Sequence, residues 1–141
     1  MAAGNLPDVI QLVLCESAAH DASIGSWVLV RPYTRIHLAM NELFPTVLNR
    51  LALYYQLADA FGTFQIQVEV VSPGDAATQP TALRTSAQTV QFPTDRTVID
   101  DAIYLSNIPL LEPDEYEFRL LANGQRLRRS LFVTIGIGGQ K

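Results

Sequence analysis

From Phe64 the chain alternates with period two: Phe64, Ile66, Val68 and Val70 are apolar, and Gln65, Gln67 and Glu69 between them are polar. Successive side chains of a strand point to opposite faces, so this stretch predicts a strand with one dry face and one wet face. Ser72-Pro73-Gly74-Asp75 ends it, because proline presets φ and glycine accepts positive φ. The alternation returns in Tyr116, Phe118 and Leu120 set against Glu117 and Arg119. Asn123-Gly124 follows, the strongest short hairpin signal, and Leu127, Leu131, Val133 and Ile135 line one face of the return. Residues 116–121 and 125–135 are therefore expected to form a hairpin.

Four other stretches add strands. The nearly continuous apolar run at 9–16 suits a central strand covered on both faces. Residues 27–31 form a short run that starts after Gly25 and stops at Pro32. Residues 82–92 carry β-branched and small side chains up to Pro93, and 97–107 carry Val98, Ile99, Ile103, Tyr104 and Leu105 before Pro109. Turn signals about every 10–15 residues suit a sandwich or barrel better than βαβ units. The segment 45–61 fits two templates. Val47, Leu48, Leu51 and Tyr55 share a helical face, with Thr46 as a cap and Gly62 as a stop; Leu51, Leu53, Tyr55 and Leu57 share a strand face. The pattern thus predicts an all-β, antiparallel two-sheet sandwich of about seven or eight strands. An α+β fold with a helix at 45–61 is the alternative. A single domain spans 8–135, between a flexible start (1–7) and a glycine-rich flexible tail (136–141).

Composition narrows the function classes. The chain has 141 residues, 48% hydrophobic and 17% charged, which is a folding composition rather than a disordered one. The net charge of −4 argues against a surface that tracks nucleic-acid phosphates. No apolar stretch approaches the ~20 residues of a membrane span. Residues 1–7 carry neither a basic nor an apolar signal segment, so a cytoplasmic, reducing setting is expected.

The order of short motifs carries a resemblance. An apolar strand ends in Cys15-Glu16; His20-Asp21 and Ile24-Gly25 follow, then Phe44-Pro45, the 51–57 segment and Ser72-Pro73-Gly74-Asp75. Pro113-Asp114-Glu115-Tyr116-Glu117-Phe118-Arg119-Leu120 and Asn123-Gly124 close the series. Over about residues 8–135 the chain resembles a family of small bacterial β-sandwich proteins of unknown function. Members have glycine where this chain has Glu115, and a longer apolar motif where it has Ser26-Trp27. The resemblance implies a strand at 51–57 and no activity. Tyr116 is also similar to the tyrosine of immunoglobulin-like sandwiches whose hydroxyl bonds back to the main chain at a corner.

Candidate chemistry is sparse. The single cysteine, Cys15, lies in an apolar run and reads as a buried small side chain. A thiolate or serine nucleophile would need a base, and only His20 and His37 are available. His20-Asp21 reads as a polar turn and His37 as a structural histidine, so no enzyme is expected. One cysteine and two distant histidines exclude paired zinc ligands. With strands alternating in direction, Asp75 would share one end with Glu112, Asp114 and Glu115, and Asp21 the other with Asp59 and Asp95. Each end is short of the six to eight oxygens that calcium takes, so metal binding and cofactors are not expected. Asp100-Asp101 should place at least one carboxylate at water or an edge. Arg126, Arg128 and Arg129 form the basic cluster, and Glu117 is a natural partner across the hairpin. Gly136-Ile137-Gly138-Gly139 lacks the helix start of a phosphate loop. The leading reading is a non-enzymatic interaction module that binds a protein partner or forms a homo-oligomer, with Leu38, Met40, Leu43, Phe44, Arg126 and Arg128 as candidate partner surface. The second is a small-ligand or carbohydrate-binding sandwich that uses Trp27, Tyr33, Tyr54 or Tyr55 as stacking platforms.

Overall fold

The computed structural model describes residues 5–38, 45–72, 81–110 and 114–137. These form strands and no helix. In order they are β1 (Asp8–Asp21), β2 (Ser26–Tyr33), β3 (Arg35–Leu38), β4 (Thr46–Leu48), β5 (Leu51–Ala58) and β6 (Gly62–Val71). The second half holds β7 (Thr81–Arg84), β8 (Gln88–Phe92), β9 (Ile99–Leu105), β10 (Ile108–Leu110), β11 (Asp114–Ala122) and β12 (Gln125–Ile137). One sheet runs β2-β1-β5-β9. The other runs β3-β12-β11-β6, with β7 and β8 both on the far side of β6. β4 and β10 pair with each other. The inner faces meet in one core: Leu14, Leu53 and Tyr55 from the first sheet pack with Ile66, Phe118 and Val133 from the second. This is the expected all-β sandwich.

The strands outnumber the seven or eight expected, because apolar runs that read as continuous are broken. The run at 82–92 splits after Arg84. Thr85 bridges the break: its N–H donates to the Val68 carbonyl at 3.0 Å, and its hydroxyl accepts the Val68 N–H at 3.0 Å. Asn107, at φ 55°, turns the chain after β9. Pro109 then sits inside β10, opposite Val47, instead of following the last strand. The sheets are also not wholly antiparallel, since β3 pairs with β12 in parallel.

The ambiguous segment 45–61 is two strands, so the helical alternative falls. β5 lies between β1 and β9 and is buried at seven of its eight positions. Leu51, Leu53, Tyr55 and Leu57 face the core, while Ala52, Tyr54 and Ala58 are buried on the other face. A strand covered on both sides has no polar face, which is why period two was hidden. Tyr55 also ties the sheets together: Gln88 Nε2 on β8 donates to its hydroxyl at 2.8 Å, and burial pushes the phenol pKa up.

β1 is central, as expected, but covered on both faces only near Leu14 and Cys15. Ile10 is 43% exposed, and a bulge interrupts the ladder between Val9 and Gln11. Pro32 does not end β2; it pairs with Cys15 inside the strand. An edge strand tolerates it because the missing N–H can be on the open side.

The β11–β12 hairpin turns through Asn123 and Gly124, at φ 51° and 80°, the left-handed pair that a two-residue turn requires. Asn123 hooks the turn to β6: its Oδ1 accepts the Gln65 N–H at 2.9 Å, and its own N–H donates to the Gln65 carbonyl at 2.9 Å. A Cβ on Gly124 would meet no atom within 4 Å, so its cost is conformational alone. Gly124→Ala is expected to destabilise by about 1–2 kcal/mol, the penalty of a side chain in left-handed backbone. Urea denaturation measures it.

Candidate functional site

The outward face of the six-stranded sheet carries a charged network. Glu69 on β6 and Glu117 on β11 are buried, at 7% and 4% exposure. Arg119 bridges them, with Nη1 3.5 Å from Glu69 and Nη2 2.9 Å from Glu117. Arg84 closes one end on Glu69 at 2.7 Å, and Arg126 the other on Glu117 at 2.7 Å. The Ser130 hydroxyl donates to Glu117 at 2.6 Å. Burial alone would push the Glu117 pKa up. The hydrogen bonds from Arg119 and Ser130, with the charges of Arg119 and Arg126, outweigh it and hold the carboxyl below its usual range. Arg126 thus meets Glu117 as the sequence suggested. Glu69, Arg84 and Arg119 were not singled out, because their meeting depends on the β6–β11 and β6–β7 registers.

Arg126 also lines a cleft of about 620 Å³ with Arg128, Leu127, Asp8, Asp59 and the strand preceding segment Asn5–Pro7. Arg129 is in phase with the core residue Leu127. Its guanidinium leaves the interior over the rim and donates from Nη1 to the Ile10 carbonyl at 3.2 Å. Leu38 is elsewhere. It pairs with Ile137 at the other end of β12, eleven residues from Arg126, and packs half-buried on the core. Met40, Leu43 and Phe44, with Pro73, Gly74, Asp75, Glu112 and Pro113, lie outside the described residues.

The outward face of the four-stranded sheet is covered by its own chain. Trp27 pairs across β1 with His20, and Tyr54 pairs with Val13. Straight strand would put His20 about 23 Å from Val13, at ~3.3 Å per residue. The Trp27 and Tyr54 rings are nonetheless 6.0 Å apart. The β1–β2 hairpin therefore folds back over its own sheet. The bend falls where Glu16 and Arg31 drop out of the ladder and Arg31 takes φ 56°. Beneath this flap Ala18, Trp27 and Leu29 pack on Cys15, Ala52 and Ala102. Small side chains on the sheet let the two layers approach. Tyr104 holds the rim, its hydroxyl bonding both the N–H and the carbonyl of Ala18.

The flap decides the candidate chemistry. Cys15 is fully buried, its thiol donates to the Ala52 carbonyl at 3.5 Å, and burial pushes its pKa up. That thiol is protonated and screened from substrate. His20 packs edge-on against Trp27, with ring centroids 5.7 Å apart, and His37 is exposed on the edge strand β3. Asp21 caps the hairpin turn: its Oδ1 accepts the Ser23 N–H at 2.9 Å and the Ser23 hydroxyl at 2.6 Å, bonds that lower its pKa. Among the described residues, no three of His, Cys, Asp and Glu converge as metal ligands. Tyr55 and Tyr54 are buried; Tyr54 donates to Asp100 at 2.8 Å, and burial and that carboxylate push its pKa up to about 12. Trp27 and Tyr33 are half-buried. No described helix is long and apolar enough to cross a membrane.

The four edges of the two large sheets differ. β9 carries Asp100 and Asp101, as expected of an edge. β3 is four residues long and carries Arg35 and His37; β7 and β8 are short, and β7 ends in Arg84. β2 is uncharged from Ser26 to Val30, and its flap exposes Val28 (41%), Val30 (48%) and the tip residue Ile24 (64%). Among the described residues, β2 pairs only with β1. The sequence did not single out these residues, because an edge strand and a central strand read alike until the neighbours are known.

Residues 11–134 match the model of a family of unknown function. A search of the curated proteins returned no match.

Proposed function

The chain belongs to that family, DUF6941, which hands on no activity, and we propose from the geometry that it is a non-enzymatic interaction module whose docking element is the open edge of β2. One observation carries this reading. β9 and β3 are blunted by charge and the β7/β8 edge is broken into two short strands, the usual defences against strand addition, whereas β2 runs unbroken for eight residues and is uncharged over Ser26–Val30. An extended segment laid along it would extend the four-stranded sheet by main-chain hydrogen bonds and cover Val28 and Val30. Arg31, in left-handed backbone, and Pro32 limit the docking length at the base of the flap.

The test compares the native chain with Val28→Lys and Arg128→Ala by the size at which each elutes from gently lysed cells. The native chain and Arg128→Ala should elute well above the 15.6 kDa of one chain, and Val28→Lys at it. Elution of the native chain as a single copy, or an unchanged size for Val28→Lys, overturns the reading.

The cleft at Arg126 and Arg128 supports a second reading, a site for a small anionic ligand, since two guanidinium groups i, i+2 on β12 border a concave space. Arg128→Ala should then abolish thermal stabilisation by small carboxylates and phosphates; no stabilisation of the native chain by any of them rejects it.

A further inference from the structure

We infer that the segment docked on β2 is β2 of a second copy, running antiparallel so that the two flaps pair edge to edge into one four-stranded layer; this rests on the reading of β2 as the docking edge. Two features of the strand are self-complementary under a two-fold axis. The uncharged stretch Ser26–Val30 is centred on Val28, so pairing about that centre opposes it to itself without burying a charge. An axis at Val28 sets Val28 of the two copies directly opposite each other with each Val30 on the diagonal, which gathers the half-exposed valines into one cluster. Cross-strand pairs of β-branched side chains stabilise such a junction.

Charge fixes the direction. The tip of the flap carries Asp21, opposite Ser26 in the hairpin, and the base carries Arg31. Antiparallel pairing lays each base beside the other copy's tip, so that Arg31 of one copy comes level with Gly25, in the turn that Asp21 of the other begins. Parallel pairing would set tip on tip and base on base, like charge against like charge. Arg31 can make this contact because its present partner holds it weakly: the Arg31–Glu16 pair is 3.5 Å long, with side chains 71% and 50% exposed. Asp21 stays ionised well into acid, because its bonds to Ser23 favour the carboxylate. The symmetric arrangement is closed, so the contact makes a dimer and no filament.

The test uses the purified full chain, with sedimentation over a wide concentration range and hydrogen exchange on the same samples. The expected result is a monomer–dimer equilibrium in which the outward amides of Ser26–Val30 gain protection as the dimer forms. Val28→Lys should weaken dimerisation at least 100-fold. Asp21→Arg should also weaken it, and Asp21→Arg with Arg31→Asp should restore it, a rescue that a parallel contact or a foreign strand would not give. A dimer that forms without protection of Ser26–Val30, or that survives Val28→Lys, overturns both this inference and the reading of β2 as the docking edge. A chain that stays monomeric when pure yet elutes large from lysate, in a form that Val28→Lys abolishes, overturns only the second copy and leaves β2 as an edge for a different protein.

Discussion

Glu117→Gln should unfold with about 3–5 kcal/mol less free energy than the native chain, the range measured when one partner of a buried ion pair is removed. Glu117 is 4% exposed and takes contacts from Arg119, Arg126 and Ser130, so its loss strips a compensating charge from the part-buried Arg119 as well as from the half-exposed Arg126. The amide keeps the shape, so the difference reports charge and hydrogen bonding rather than packing. Its pH dependence has a definite sign. The folded pKa of Glu117 lies below its ordinary value of 4.5. A carboxyl held low in the folded state adds stability above the unfolded pKa and loses it as pH falls through the folded pKa. The gap between native chain and variant should therefore be full at neutral pH and narrow steadily below about pH 4.5. Urea titrations at pH 7, 5, 4 and 3 measure it; a gap that stays constant to pH 3 contradicts the network.

Trp27→Ala should make Cys15 react with a thiol reagent about 100-fold faster. Cys15 is fully buried under the flap, and Trp27 is the largest side chain clamping that flap to Tyr54, Ala52 and Ala102. Truncating a fully buried tryptophan costs about 3–5 kcal/mol; Trp27 is only half-buried, and a loss of about 2.7 kcal/mol raises the open population about 100-fold. Cys15 is the chain's one cysteine, so labelling reads the flap without interference. Circular dichroism on the same sample separates flap opening from global unfolding. Tyr104→Phe should act in the same direction and less strongly, because it removes the hydroxyl that bonds both main-chain groups of Ala18 and keeps the ring.

Much of this protein is legible in its sequence, and what is not has a common cause. The alternation at 64–70 and 116–120 gives strands with the right inward face, since period two is a property of extended backbone and needs no neighbour. Asn123-Gly124 announces its own turn, because only such residues adopt left-handed backbone cheaply. β5 hid its period because the flap buries its second face, a fact about residues 16–31 that 51–58 do not contain. Arg126 reached its expected partner because both lie on the outward face of one hairpin, although a bulge between Arg119 and Leu121 shifts the register that the turn sets. Glu69 and Arg119 met across a register that no turn specifies.

The candidate site divides the same way. The sequence by itself determined the alternating strands at 64–70 and 116–120, the hairpin turn and the residues available to any chemistry: one thiol, two histidines and scattered acids. Only the tertiary structure decided what those residues can do. The bend at Glu16 and Arg31 buries Cys15, and the strand order makes an edge of β2, whose Val28 and Val30 read locally like those of any covered strand. Local pattern records which face a side chain takes; whether that face meets protein or water depends on which strands, distant in sequence, arrive beside it.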